Sequence, residues 1–275
     1  MKIKASKSNE YLELIKQSFK KLKSSVFFDK TQLVLRDKLV AYETSPDFEN
    51  NLSELATKIL SLDLDWDEII NSINVLTFPK KINCGENDTK NEPKFITNVI
   101  NKSTEIDDIQ CFLDMDVEGY ILGVAWLLTV GYKFDNELYE HSYGNRMRKN
   151  VINEFGKATY SPYLFEPYFQ QYESWRDTAI NFAQKSLNKN QDVVVLMLDF
   201  KRFFYQVDIT EEELKECLKD IRKNSDAYVY SNYEKLSDTL THFVWKVIEK
   251  YGEVIQDKYP QLVENRNVLP IGFLP

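Results

Sequence analysis

Histidine is nearly missing from this chain: among 275 residues there are two, His141 and His242. The three cysteines, Cys84, Cys111 and Cys217, stand far apart, with no CxxC and no Cys/His ligand spacing. These shortages give no zinc site to expect, and reduced thiols in a cytoplasm are the simplest reading. Long apolar runs are missing as well. The longest, "YILGVAWLLTVGY" from Tyr120 to Tyr132, is shorter than the roughly 18 residues of a membrane span and reads as a buried helix. The opening residues, "MKIKASKSNEYLELIKQ", hold no apolar secretory core. The expectation is a cytoplasmic protein with no membrane partner. Basic charge is also short, with 35 Lys and Arg against 43 Asp and Glu, a net charge of −8. That argues against a surface that binds nucleic acid everywhere and leaves room for a local basic groove.

Aromatic rings are plentiful: 16 Tyr, 17 Phe and 4 Trp. Rings of this kind fill cores and stack on bases. The first segment, 9–72, alternates helical patterns with polar turns. Tyr11, Leu12, Ile15, Phe19 and Leu22 share one helical face, and two more helices are expected before residue 72, broken near Leu62–Leu64. A β-like run follows at 74–82, interrupted by Pro79, then a polar loop at 83–94. A buried helix or helix pair is expected over 117–140, and a helix from about Tyr172 after an aromatic, Pro-punctuated loop. Thr210 and Glu213 form a Thr-x-x-Glu capping box ahead of another helix, and 234–254 is amphipathic. The last residues, "NRNVLPIGFLP", are apolar where polar, frayed ends are usual. We therefore expect this chain to be the front part of a longer protein.

The strongest strand signal is "VVVLML", Val193–Leu198, an apolar run without alternation and so expected to be covered on both faces. It ends on Asp199. A carboxylate at a strand tip suits Mg²⁺, which takes hard oxygen ligands. From position alone, a metal ligand and a surface Asp ending a strand stand equal. Asp208, just before the Thr210 cap, suits a helix N-terminus and is read as structural.

"LDFKRFFYQVD", Leu198–Asp208, resembles the first palm motif of reverse transcriptases. The resemblance implies that Asp199 binds the catalytic metals, helped by the backbone carbonyl of Phe200. It implies too that Phe204 lies under the incoming sugar and excludes a 2′-hydroxyl; core packing is the plain alternative for that ring. "LPIGFLP" resembles the second palm motif, in which Gly272 lets the backbone approach nucleotide and template and Pro270 sets the turn. Upstream, "FPKKI" resembles the first fingers motif, with Lys80 and Lys81 as phosphate contacts. "HSYGNRMR" resembles a Tyr-Gly-x-Arg segment of bacterial members, offering Arg146 and Arg148. "YESWRD" resembles the Trp-Arg pair before the palm, which makes Arg176 a further base. An arginine fork binds phosphate bidentately; the bland alternative is a solvated or salt-bridged cation, strongest for Arg148.

These matches span about 75–275 and most resemble the bacterial, defence-associated class, more narrowly one enzyme of a two-reverse-transcriptase antiphage system. The implied fold is α+β, a right-hand polymerase: a helical N-terminal extension over 1–73, a fingers-like region over 74–190 and an incomplete palm over 191–275. The implied cofactor is Mg²⁺. The implied partners are dNTPs, RNA or DNA as template or primer, a noncoding RNA and a second reverse-transcriptase subunit. One departure stands out. The family's third palm motif, Tyr-x-Asp-Asp, supplies the remaining metal carboxylates and does not occur here. The acidic stretches 63–68, 107–109 and 114–116 all precede the palm. One carboxylate does not hold two ions, so the chain alone is expected to be inactive. A non-catalytic nucleic-acid-binding or assembly subunit is the alternative, and an unrelated Mg²⁺-dependent phosphohydrolase ranks last.

Overall fold

A computed structural model describes residues 2–29, 32–61, 66–84, 104–148, 151–152, 158–159, 161–223, 232–263 and 267–273. Helices dominate and strands are few, so the class is mixed α and β. Four helices come first: α1 (Lys2–Phe28), α2 (Leu33–Thr44), α3 (Phe48–Ser61) and α4 (Asp67–Asn71). Of the face expected of α1, Tyr11, Ile15, Phe19 and Leu22 are buried and Leu12 is half-buried, while Leu14 and Val26 are buried with them. The break expected at Leu62–Leu64 and most of the 83–94 loop lie outside the described residues.

Strands β1 (Asn74–Cys84) and β2 (Thr104–Asp114) form a long antiparallel pair. Its register runs from Asn74 opposite Asp114 to Cys84 opposite Thr104, and shifts between Pro79 and Ile82. Pro79 has no N–H to give a ladder, so the irregularity falls where pairing is weakest. Lys80 is the residue left without a partner there.

The expected buried helix is α5 (Val117–Trp126), continued by a π-helical turn (Leu127–Gly131) and α6 (Tyr132–Glu137). A π turn displaces backbone carbonyls from their usual donors; that of Thr129 accepts from the Tyr233 hydroxyl at 2.8 Å. Two short paired strands follow, β3 (Val151–Ile152) and β4 (Ala158–Thr159). Helix α7 (Tyr168–Leu187) begins four residues before the expected Tyr172, because Pro167 closes the aromatic loop and sits at the N-cap. Next come the single turn α8 (Phe203–Gln206), α9 (Glu211–Lys223), α10 (Tyr233–Lys258) and a 3₁₀ turn (Pro260–Leu262). The capping box forms as expected at the start of α9. The Thr210 N–H donates to Glu213 at 2.9 Å, and the Glu213 N–H donates to the Thr210 hydroxyl at 3.2 Å.

One core runs from Tyr11 to Phe273 and crosses residue 73 without a gap. The N-terminal helices are bolted to the rest by one buried and one half-buried cation. The Lys21 ammonium donates to the carbonyls of Ser161 (2.6 Å) and Tyr163 (3.2 Å). Lys38 pairs with Asp114 and donates to the Met115 carbonyl at 3.1 Å. Burial pushes the Lys21 pKa down, since desolvation disfavours the charged form.

The 193–198 run departs from expectation. It forms no strand, and from Val194 onward its side chains face solvent: Val194 is 93% exposed and Leu198 77%. The physical reason is pairing. A strand needs a neighbour for its N–H and C=O groups, and none of the described strands runs beside it.

Strand β2 is held on the edge away from β1 by hydroxyls and one carbonyl. The Tyr251 hydroxyl donates to the Cys111 carbonyl at 2.6 Å, and the Tyr120 hydroxyl donates to the Leu113 carbonyl at 2.8 Å. Tyr251→Phe leaves the buried Cys111 carbonyl without that donor. It should lower stability by about 1–3 kcal/mol in chemical denaturation, against less than about 0.5 kcal/mol for the exposed Lys235→Ala.

Candidate functional site

The segment after the 193–198 run turns sharply. Arg202 sits at φ 55°, a left-handed conformation that costs a non-glycine residue about 1–2 kcal/mol. The turn directs Phe203 and Phe204 into α8, their rings meeting edge to face at 5.5 Å. Asp199 and Phe200 precede it, both exposed. Asp199 makes no hydrogen bond or ion pair among the described residues.

Three contacts dock this turn. Arg202 approaches Asp108 of β2 at 3.6 Å. The Cys111 N–H donates to the Tyr205 hydroxyl at 2.8 Å. The Leu269 N–H donates to the Phe204 carbonyl at 2.9 Å. The same C-terminal segment reaches β2, where the Leu113 N–H donates to the Ile271 carbonyl at 2.8 Å and Ile271 bridges Phe112 in parallel. Gly272 follows at φ +80°, and a Cβ there would meet the Phe112 ring at 3.3 Å. Both the backbone angle and the close approach therefore call for glycine. The structure thus brings Phe204, Leu269–Gly272 and Cys111–Leu113 into one cluster. A cavity of about 230 Å³ opens beside it, lined by Gln32, Leu76, Phe78, Phe112, Asp114 and Gly272, among others.

The basic candidates divide. Lys80 is exposed at the β1 irregularity, and exposed Lys81 pairs with Asp107 at 3.0 Å. Arg176 lies on α7, no residue of which is buried, and its Nε donates to Asp177 at 2.7 Å. Arg148 sits 5.2 Å over the Tyr163 ring and 4.0 Å from Glu166, in keeping with a salt-bridged cation.

Arg146 is committed to the fold. Its Nε donates to the buried Asp135 carboxylate at 2.9 Å, its Nη2 to the Asp135 carbonyl at 3.0 Å, and its Nη1 to the Ser142 carbonyl at 3.1 Å. Asp135 also accepts from the Met147 N–H. The guanidinium fork is already filled, so the geometry favours a staple over a phosphate contact.

Among the described residues, no group of three or more His, Cys, Asp or Glu is placed to hold a metal. Asp199 by itself does not fit a pair of Mg²⁺ ions. Two of the acidic stretches that precede the palm are engaged within the fold: Asp107 and Asp108 pair with Lys81 and Arg202, while Asp114 pairs with Lys38 and Asp116 is the N-cap of α5. No protein-family model, curated protein or solved structure matches the chain.

Sequence reasoning assigned no role to Tyr205 or to β2. A signal was present: a buried tyrosine hydroxyl usually has a partner, and this one directly follows the ring of interest. Arg146→Ala should cost about 3–5 kcal/mol in denaturation, because it strands the buried Asp135 carboxylate. A loss under about 0.5 kcal/mol would return Arg146 to the pool of free phosphate contacts.

Proposed function

We propose that this chain supplies the fingers and the first half of the palm of an RNA-directed DNA polymerase of the bacterial antiphage-defence class. One observation carries the reading. The two segments that resemble palm motifs lie more than sixty residues apart in sequence, yet meet on β2 through the Leu269–Phe204 and Leu113–Ile271 hydrogen bonds. In this reading Asp199 supplies one hard oxygen ligand toward Mg²⁺. Further carboxylates, from outside the described residues or from another chain, would have to converge on it. In the same reading Phe204 is the ring that excludes a ribose 2′-hydroxyl. Gly272 admits close approach of the nucleotide backbone. Lys80 and Lys81 offer exposed positive charge for phosphate, and Arg176 does so once released from Asp177. The nucleic-acid partners follow from the same reading: a template or primer of RNA or DNA, a noncoding RNA, and a second reverse transcriptase.

A second reading, a nucleic-acid-binding or assembly subunit that keeps the polymerase fold, draws support from the lone Asp199 and the committed Arg146. Incorporation assays separate the two. In the intact protein with Mg²⁺ and dNTPs, Asp199→Asn should abolish incorporation, at least a hundredfold below the parent. Undiminished incorporation by that variant would sink the polymerase assignment, and a parent that binds RNA but never extends a primer favours the binding subunit. Phe204→Ala should admit ribonucleotides; an unchanged ratio of ribo- to deoxynucleotide incorporation removes the ring's proposed role.

A further inference from the structure

A ring that distinguishes one hydroxyl group must be held to within about 0.5 Å. Phe204 does not achieve that through its own packing. It is 43% exposed and its recorded ring contact is the equally exposed Phe203. Nor does its helix hold it, since α8 is one turn of four residues and a single turn is not stable by itself. The ring's position is therefore set by what anchors the residues on either side.

The following residue is the anchor. Tyr205 is 6% exposed, and its hydroxyl takes the Cys111 N–H of β2 at 2.8 Å. The Phe204 carbonyl is held by Leu269, and Ile271, two residues on, is held by Leu113 of the same strand. Cys111, Tyr205, Phe204, Leu269, Ile271 and Leu113 thus close a loop of contacts around three residues of one strand. Lys80 and Lys81 ride on the strand paired with it.

We propose that Tyr205 is a positioning residue, its hydroxyl fixing Phe204 as a sugar filter and tying that filter to the hairpin that carries Lys80 and Lys81. The role rests on the reading of Phe204 given above. Burial pushes the Tyr205 phenol up to about 12. The latch is therefore neutral and intact across ordinary working pH.

Tyr205→Phe keeps the buried ring and removes the hydroxyl. Two measurements on the intact protein test it. In amide hydrogen exchange, the variant should speed exchange at Cys111 and also at Leu269, which Tyr205 does not bond. In incorporation assays, ribonucleotide use relative to deoxynucleotide should rise at least fivefold through KM, with kcat for dNTPs within twofold of the parent. The control is Tyr233→Phe, which removes a buried hydroxyl from the Thr129 carbonyl, away from the cluster. It should lose stability with the sugar ratio unchanged. Faster exchange at Cys111 alone overturns the proposal, as does an equal shift of the ratio in both variants. If the parent incorporates no nucleotide, the polymerase reading fails separately and the Leu269 exchange decides the latch: acceleration supports it and an unchanged rate overturns it.

Discussion

The outer edge of β2 is the constraint on which the rest of the structure depends. A two-stranded pair is marginal in water, and its open edges expose backbone groups that must find partners. Here four groups on one edge are met by four different elements. Tyr205 takes the Cys111 N–H, Tyr251 supplies the Cys111 carbonyl, Ile271 takes the Leu113 N–H and Tyr120 supplies the Leu113 carbonyl. At roughly 0.5–1.5 kcal/mol each, the set contributes about 2–6 kcal/mol. That is a large share of the ~5–15 kcal/mol margin of a typical domain. The tyrosine is suited to the task because its ring stays in the core while its hydroxyl reaches the strand.

That edge also explains why the helical N-terminal segment belongs to the same core. Lys38 fixes the last residue of β2 through Asp114, and the Tyr42 hydroxyl lies 3.4 Å from Glu118 in the first turn of α5. Lys21 fastens α1 to the segment after β4. These are buried or half-buried links whose loss would leave a stranded charge or carbonyl, and each ties an N-terminal helix to a later part of the chain. A strand braced at its end and along its edge is a rigid seat for whatever docks on it, and the Phe204 turn docks there.

Much of this was legible because it is local. The 3.6-residue spacing of α1, the Thr210–Glu213 box and the turn demand at Gly272 all lie within a few residues of one another. The links that failed to show are long-range. Nothing near Arg146 in the sequence marks Asp135 as its partner, since eleven residues and a change of direction separate them. Nothing marks Tyr205 as the acceptor for a strand ninety-four residues earlier. The apolar run at 193–198 misled for the related reason that a strand is completed by neighbours, which its own residues do not specify.

The exposure of that run and the isolation of Asp199 are one physical fact. Five consecutive exposed apolar residues, Val194–Leu198, each worth about 1.5–3 kcal/mol if buried, follow in sequence a helix, α7, with no buried residue of its own. Among the described residues no strand lies next to Val193–Leu198, so none brings a second carboxylate to the tip where Asp199 stands. Side chains at a strand tip are gathered by the strands that flank it, so among the described residues a flanking strand and a second carboxylate are absent together. On the polymerase reading proposed above, a surface that covered Val194–Leu198 would also decide what faces Asp199, so burial of the run and assembly of the carboxylates would be a single event.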